Sequence, residues 1–128
     1  MRGPAFAPGA PGGPVPAQRT RRDSFEQVAI DVMGDVESRW SDELAELELA
    51  VEDIHLLPGT WSAPRVPLAS LVPASGRTPA RLVLYRRPIE HRAETRADLD
   101  ALVLTVVVEQ VADYLGVAAE EVHPDYDP

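Results

Sequence analysis

Residues 95–116 constrain the fold more than any other stretch of this chain. Thr95 and Asp98 have the spacing of a helix start, and Gly116 stands where a left-handed helix stop belongs. Between them Leu99, Leu102, Val103, Val106, Val107, Val111, Tyr114 and Leu115 cover most of a helix circumference. Asp98, Thr105, Glu109 and Asp113 fall in one polar stripe, about 80° wide at roughly 100° per residue. A helix that is apolar nearly all round is a central, buried one. The β-branched run from Leu102 to Val108 would also suit a buried strand, and periodicity alone leaves that open. Length, cap and terminal glycine favour the helix.

The other elements follow from shorter patterns. Ser24 and Gln27 have capping-box spacing, and Phe25, Val28, Ala29, Val32, Val36 and Trp40 recur at three- and four-residue steps. That predicts an N-terminal helix from Ser24 with one apolar face; Gly34 weakens its middle without ending it. Leu47, Leu49 and Val51 alternate with Glu46, Glu48 and Glu52, the pattern of a half-buried strand with an acidic outer face. Pro58-Gly59 marks a turn. Residues 58–80 hold five prolines and no periodicity, so a long loop is expected there, lining a site or simply mobile. Arg81 to Tyr85 reads as a second strand that ends towards Arg86-Arg87-Pro88, and Ala118 to Val122 as a short last turn. The expected architecture is α+β: an N-terminal helix, a small sheet of two or three strands, a long loop, a central motif helix and a short C-terminal helix.

A chain of 128 residues argues for one domain with a modest core. Residues 1–22 carry five prolines and four glycines and cannot bury enough apolar surface to offset their chain entropy. They are expected to form a disordered tail, with a single domain over 23–128. No stretch approaches the roughly 18 consecutive apolar residues of a membrane span, and the start lacks the continuous apolar core of a secretion signal. A cytoplasmic protein is the expectation. The absence of cysteine removes disulfides, thiolate metal sites and cysteine nucleophiles.

All twelve basic residues are arginine, which we ascribe to coding bias in a high-GC genome. Arg2, Arg19, Arg21 and Arg22 give the tail a charge of +4, leaving eight arginines against 21 acids and a net of −13 in the rest. Such a body repels phosphate backbones, so nucleic acid is not an expected partner. The basic tail could touch an anionic partner, though a solvated tail is the simpler reading.

Glu109 and Asp113 stand four residues apart, hence one above the other on the predicted helix. Two carboxylates there repel by a few tenths of a kcal/mol and call for an arginine, a cation or open water. The same spacing can put two ligands on a single divalent ion. The bland alternative is a stripe neutralised by Arg86, Arg87 or Arg92. Gln110, on the wheel among Leu99, Val103 and Val106, reads as a satisfied buried amide. His55 and His91 have no partner at ligand spacing, and Ser62, Ser70 and Ser75 lack a nucleophile elbow. Tyr85 and Trp61 read as core or loop anchors.

Tyr85-Arg86-Arg87-Pro88-Ile89-Glu90, followed by a helix ending Val106-Val107-Val108-Glu109-Gln110-Val111-Ala112-Asp113-Tyr114-Leu115-Gly116, resembles the minimal zincin metallopeptidases. These small bacterial proteins have a strand ending in Tyr-Arg-x-Pro and a helix carrying HExxHxxG. The resemblance covers roughly residues 24–123, with the elements in the same order. It implies a zinc peptidase scaffold with a cleft beside Tyr85, Arg86 and Arg87. The departures fall on the chemistry. Glu109 stands at the first ligand histidine, Gln110 at the general-base glutamate, Asp113 at the second ligand histidine and Ala119 at a frequent third acid.

Each change points away from peptidase catalysis. Zinc prefers imidazole nitrogen or thiolate, whereas carboxylates suit Mg²⁺, Mn²⁺ or Ca²⁺ better. An amide such as Gln110 can hydrogen-bond a water but cannot take its proton. His123 could add a nitrogen ligand beside Glu109 and Asp113. The expectation is a degenerate family member with no cofactor, binding a protein or peptide segment. The alternative is a hydrolase using Glu109, Asp113 and His123 to hold Zn²⁺, Mn²⁺, Mg²⁺ or Ca²⁺. An anion-binding role for the basic tail rests on composition alone.

Overall fold

The computed structural model describes residues 20–54 and 67–128. The expected tail up to Arg19, and His55, Trp61, Ser62 and the Pro58-Gly59 turn, lie outside the described residues. Among those described, two-residue alternation and helical periodicity resolve into an α+β fold with four helices and one three-stranded mixed sheet.

The central segment is a helix, as its cap and stop predict. Helix α3 runs Arg96–Leu115. Thr95 Oγ1 accepts from the Asp98 amide at 3.0 Å, and Asp98 accepts from the Thr95 amide at 3.2 Å. At the other end Gly116 sits at φ 74° and its amide donates to the Ala112 carbonyl. Val103, Val106, Val107, Val108, Val111 and Ala112 are all buried, so the β-branched run fills the core from within a helix. Burying such side chains stabilises by about 1.5–3 kcal/mol each. That outweighs the small helix-propensity penalty of valine.

Helix α1, Arg21–Arg39, opens one turn earlier than expected. The capping box is Thr20 with Asp23, not Ser24 with Gln27. The Ser24 amide already donates to the Thr20 carbonyl, and Gln27 turns sideways to Asp31. Two candidate boxes overlap in the sequence, and the acidic one prevails because Asp23 also complements the helix dipole. Arg21 and Arg22, expected in the tail, are therefore helical. Arg22 reaches Asp53 at 2.5 Å and Glu26 at 3.1 Å.

Strands β1 (Glu48–Glu52), β2 (Ala69–Val72) and β3 (Arg81–Tyr85) are ordered β1-β3-β2. β1 runs parallel to β3, with Glu48 opposite Arg81 and Glu52 opposite Tyr85. β2 is antiparallel to β3, with Val72 opposite Arg81 and Ala69 opposite Leu84. β2 corrects the expectation of an unbroken loop over 58–80. Its four residues are too few to show alternation and are bracketed by Pro67 and Pro73, as suits an edge strand. Between β2 and β3 the chain turns through a Ser75–Thr78 bridge, with Gly76 at φ 58°.

Leu82 and Leu84 alternate out of β3 into one core with Phe25, Val28, Met33 and Val36 of α1 and the valines of α3. Val83 and Tyr85 point the other way and are buried too; Tyr85 Oη lies 2.9 Å from Ser70 Oγ. β3 does not trail off after Tyr85. It passes directly into a short helix α2, Arg86–Arg92, with Ile89 buried beneath it. Pro88 falls in the first turn, where its missing N–H costs nothing. The last element, α4 (Ala119–Val122), is where a short terminal turn was expected.

Candidate functional site

Helix α3 carries Glu109 and Asp113 on its exposed side, one turn apart. Their surroundings differ. Glu109 accepts a hydrogen bond from the Tyr126 phenol at 2.7 Å, and four residues earlier Thr105 Oγ1 donates to the Asp127 carbonyl. The C-terminal segment therefore runs along the polar stripe of α3. The Tyr126 phenol is pushed up to about 12, first by its hydrogen bond to Glu109, then by partial desolvation and the Glu109 charge. Asp113 instead borders an open cleft of about 500 Å³. Tyr114, Leu71, Pro73 and Pro79 give that cleft apolar walls, and Glu46 adds a second carboxylate. It lies between the C-terminal half of α3, the end of β2 and the residues entering β3.

Gln110 is half-buried and its side chain has no hydrogen-bond partner among the described residues, so it is not the satisfied core amide its wheel position suggested. Helix α3 rotates that position to the edge of the core.

His123 does not join Glu109 and Asp113. It is 3% exposed, and its Nε2 lies 2.5 Å from Asp35 Oδ2 on α1. Nδ1 accepts the Asp125 amide at 3.0 Å, which places the ring proton on Nε2, facing the carboxylate. The hydrogen bond from His123, working against partial desolvation, holds the Asp35 carboxyl below its ordinary range. Nearby, Trp40 Nε1 donates to the Val122 carbonyl at 2.9 Å. The C-terminal residues are fastened to both long helices.

The arginines are elsewhere. Arg86 and Arg87 follow the C-terminal end of β3, while the Asp113 cleft adjoins its start; five residues of strand separate them by about 16 Å. None of Arg86, Arg87 and Arg92 pairs with Glu109 or Asp113, so the expected neutralisation of the stripe by arginine does not occur. Arg86 is the inward-turned one. Its side chain is 12% exposed, with Nε 3.0 Å from Asp53 and Nη1 2.9 Å from Glu90. Burial opposes its charge, yet the bonds to Asp53 and Glu90 more than compensate and raise its pKa. The hydrogen bond from Arg86 in turn holds Asp53 below the usual carboxylate range. Arg87 is exposed, and Tyr85 is buried rather than lining a cleft.

Among the described residues, no three His, Asp or Glu side chains converge to hold a metal ion. The donor set on α3 does not fit zinc: it offers two carboxylates and no imidazole, because His123 is committed to Asp35. The sequence reading also missed Tyr126 and Asp35. Tyr126 sits between two aspartates in a segment with no periodicity, and its pairing with Glu109 spans 17 positions. No helix is long and apolar enough to cross a membrane among the described residues.

No curated protein matches the chain significantly. A family model does: the model for zincin-like metallopeptidases matches residues 28–126, from the middle of α1 to Tyr126. With the order of elements and the motif helix both in place over that span, the chain belongs to the zincin-like metallopeptidase family.

Proposed function

We propose that this family member does not cleave peptides and uses its cleft to hold an extended protein segment. The observation that carries the reading is Gln110 at the position of the general base. A carboxamide cannot accept the proton of an attacking water, so the position that resembles the family's general base cannot serve as one. Two further features support it. Glu109 is engaged by Tyr126, and Asp113 faces an apolar cleft without a nitrogen donor beside it. β2 is an edge strand whose neighbour among the described residues is β3 alone. Such an edge can take up an extended segment by main-chain hydrogen bonding, with side chains reaching into the adjoining cleft. The partner is then a protein or peptide. The acidic body disfavours nucleic acid, and the lack of cysteine suits a reducing, cytoplasmic setting.

The test is a thermal melt with excess Zn²⁺, Mn²⁺, Mg²⁺ or Ca²⁺ and with EDTA, paired with a peptidase assay on unstructured peptides. A cation at 100 times its dissociation constant would stabilise by about 2.7 kcal/mol, raising the midpoint by roughly 10 °C or more. No shift and no cleavage is the expected result. A shift of that size, accompanied by cleavage and lost in Glu109→Ala/Asp113→Ala, would instead establish a hydrolase with a carboxylate metal site.

A further inference from the structure

The start of α1 and the start of α2 enclose a recess of about 480 Å³ lined by Arg21, Arg86, Arg87, Glu90 and His91. In a chain of net charge −9 this lining is unusual, and its hydrogen-bond donors are not all engaged. Glu90 is held by Arg86, and Asp53 is shared by Arg86 and Arg22. Arg87 acts on Asp53 through space as well, without a hydrogen bond to it. Arg22 also reaches Glu26 on its own helix, and Asp23 is occupied in the Thr20 cap. Arg21, Arg87 and His91 are left exposed, and their side chains have no hydrogen bond or ion pair among the described residues.

The geometry points to this recess as a binding site for a phosphate-type dianion. The guanidiniums of Arg21 and Arg87 keep their donors unbonded, and each can grip a phosphate oxygen pair through a planar fork. His91 adds a ring N–H at the rim. Arg86, clamped from behind by Asp53 and Glu90, is fixed rather than flexible, which lowers the ordering cost of a site built over it. Carboxylate monoanions would match only one of the two free arginines. The volume exceeds that of a bare phosphate, so the dianion can arrive attached to a larger group, either a small phosphorylated metabolite or a phosphorylated side chain. This site is independent of the α3 cleft, which lies at the opposite end of β3.

Calorimetric titration of the full chain with pyrophosphate, at ionic strength held constant with sodium chloride, tests the site. Saturable binding is expected, weakened about tenfold or more by Arg21→Gln and by Arg87→Gln separately. Both side chains are exposed and unpaired, so the variants keep the fold, which a thermal melt checks. Arg96→Gln, on another face of the molecule, is expected to leave the affinity unchanged. Titration with a phosphoserine peptide and its unphosphorylated form then separates the sources. Tighter binding of the phosphopeptide than of pyrophosphate assigns the site to a modified protein, and the reverse assigns it to a metabolite. Absence of saturable binding in the unmodified protein overturns the inference, as does binding that survives intact in the Arg21→Gln/Arg87→Gln double variant.

Discussion

The Tyr126 phenol donates to the Glu109 carboxylate across 2.7 Å, tying the C-terminal segment to helix α3. The bond raises Tyr126 to about 12. A group whose folded pKa is raised contributes stability below its ordinary value and loses it as pH climbs through the folded one. Stability is therefore expected to fall between about pH 10 and 12. In Glu109→Gln, ultraviolet titration should show the late tyrosine step moving down towards 10, the ordinary value. An unchanged titration would mean the bond is not formed in solution.

Acid sensitivity has the opposite sign and two origins. Asp35 is depressed by His123, and Asp53 by Arg86. Depressed carboxyls contribute stability that is present above their ordinary value and lost as pH falls through the folded value. The urea midpoint is expected to drop below about pH 3.8, the ordinary aspartate value. Asp35→Asn and Asp53→Asn should each flatten that decline. Equal acid slopes in the variants and the parent would count against both pairs.

The two glycines of the long helices make a matched pair. Neither Gly116 nor Gly34 has an atom within 4 Å of where a Cβ would sit, so sterics with neighbours drop out. Gly116 at φ 74° closes α3, and Gly116→Ala is expected to cost about 1–2 kcal/mol through backbone strain alone. Gly34 lies inside α1, where Gly34→Ala should stabilise by about 0.5–1 kcal/mol. Denaturant unfolding of both variants would show shifts of opposite direction.

Core truncation should separate α+β packing from surface patterning. Leu84 is fully buried at the centre of the sheet, and Leu84→Ala is expected to cost about 2–5 kcal/mol. Ile30 is 57% exposed on α1, so Ile30→Ala should change stability by less than about 0.5 kcal/mol. A large loss at Ile30 would reveal a partner covering that side of α1.

Helix α3 and its caps were legible because three local signals agreed: an apolar circumference, Thr95 with Asp98, and Gly116. β2 was not, since four residues between prolines carry no period. α1 was found but entered late, because two capping boxes overlap and sequence does not rank them. Helix α2 was missed because Pro88 reads as a stop when it stands in fact in a first turn. At the site, spacing alone put Glu109 and Asp113 on one side of α3, while Gln110 was singled out only by the family resemblance. Their neighbours were not legible. Tyr126 meets Glu109, and His123 meets Asp35, across 17 and 88 positions of chain, and no local pattern encodes such meetings.

Those long spans bear on how the protein is made. Asp35 on α1 and Trp40 just past its end find their partners in His123 and Val122, 88 and 82 residues later. During translation α1 precedes the other described elements, and its end stays unmatched, indole and carboxylate alike, until Val122 and His123 have followed. Parallel pairing of β1 with β3 likewise waits for a distant segment. A nascent chain halted before Val122 would leave the end of α1 unfastened and the stripe on α3 bare. Such a product would keep the helical pattern of α1 and lack two of the contacts that hold its end in place.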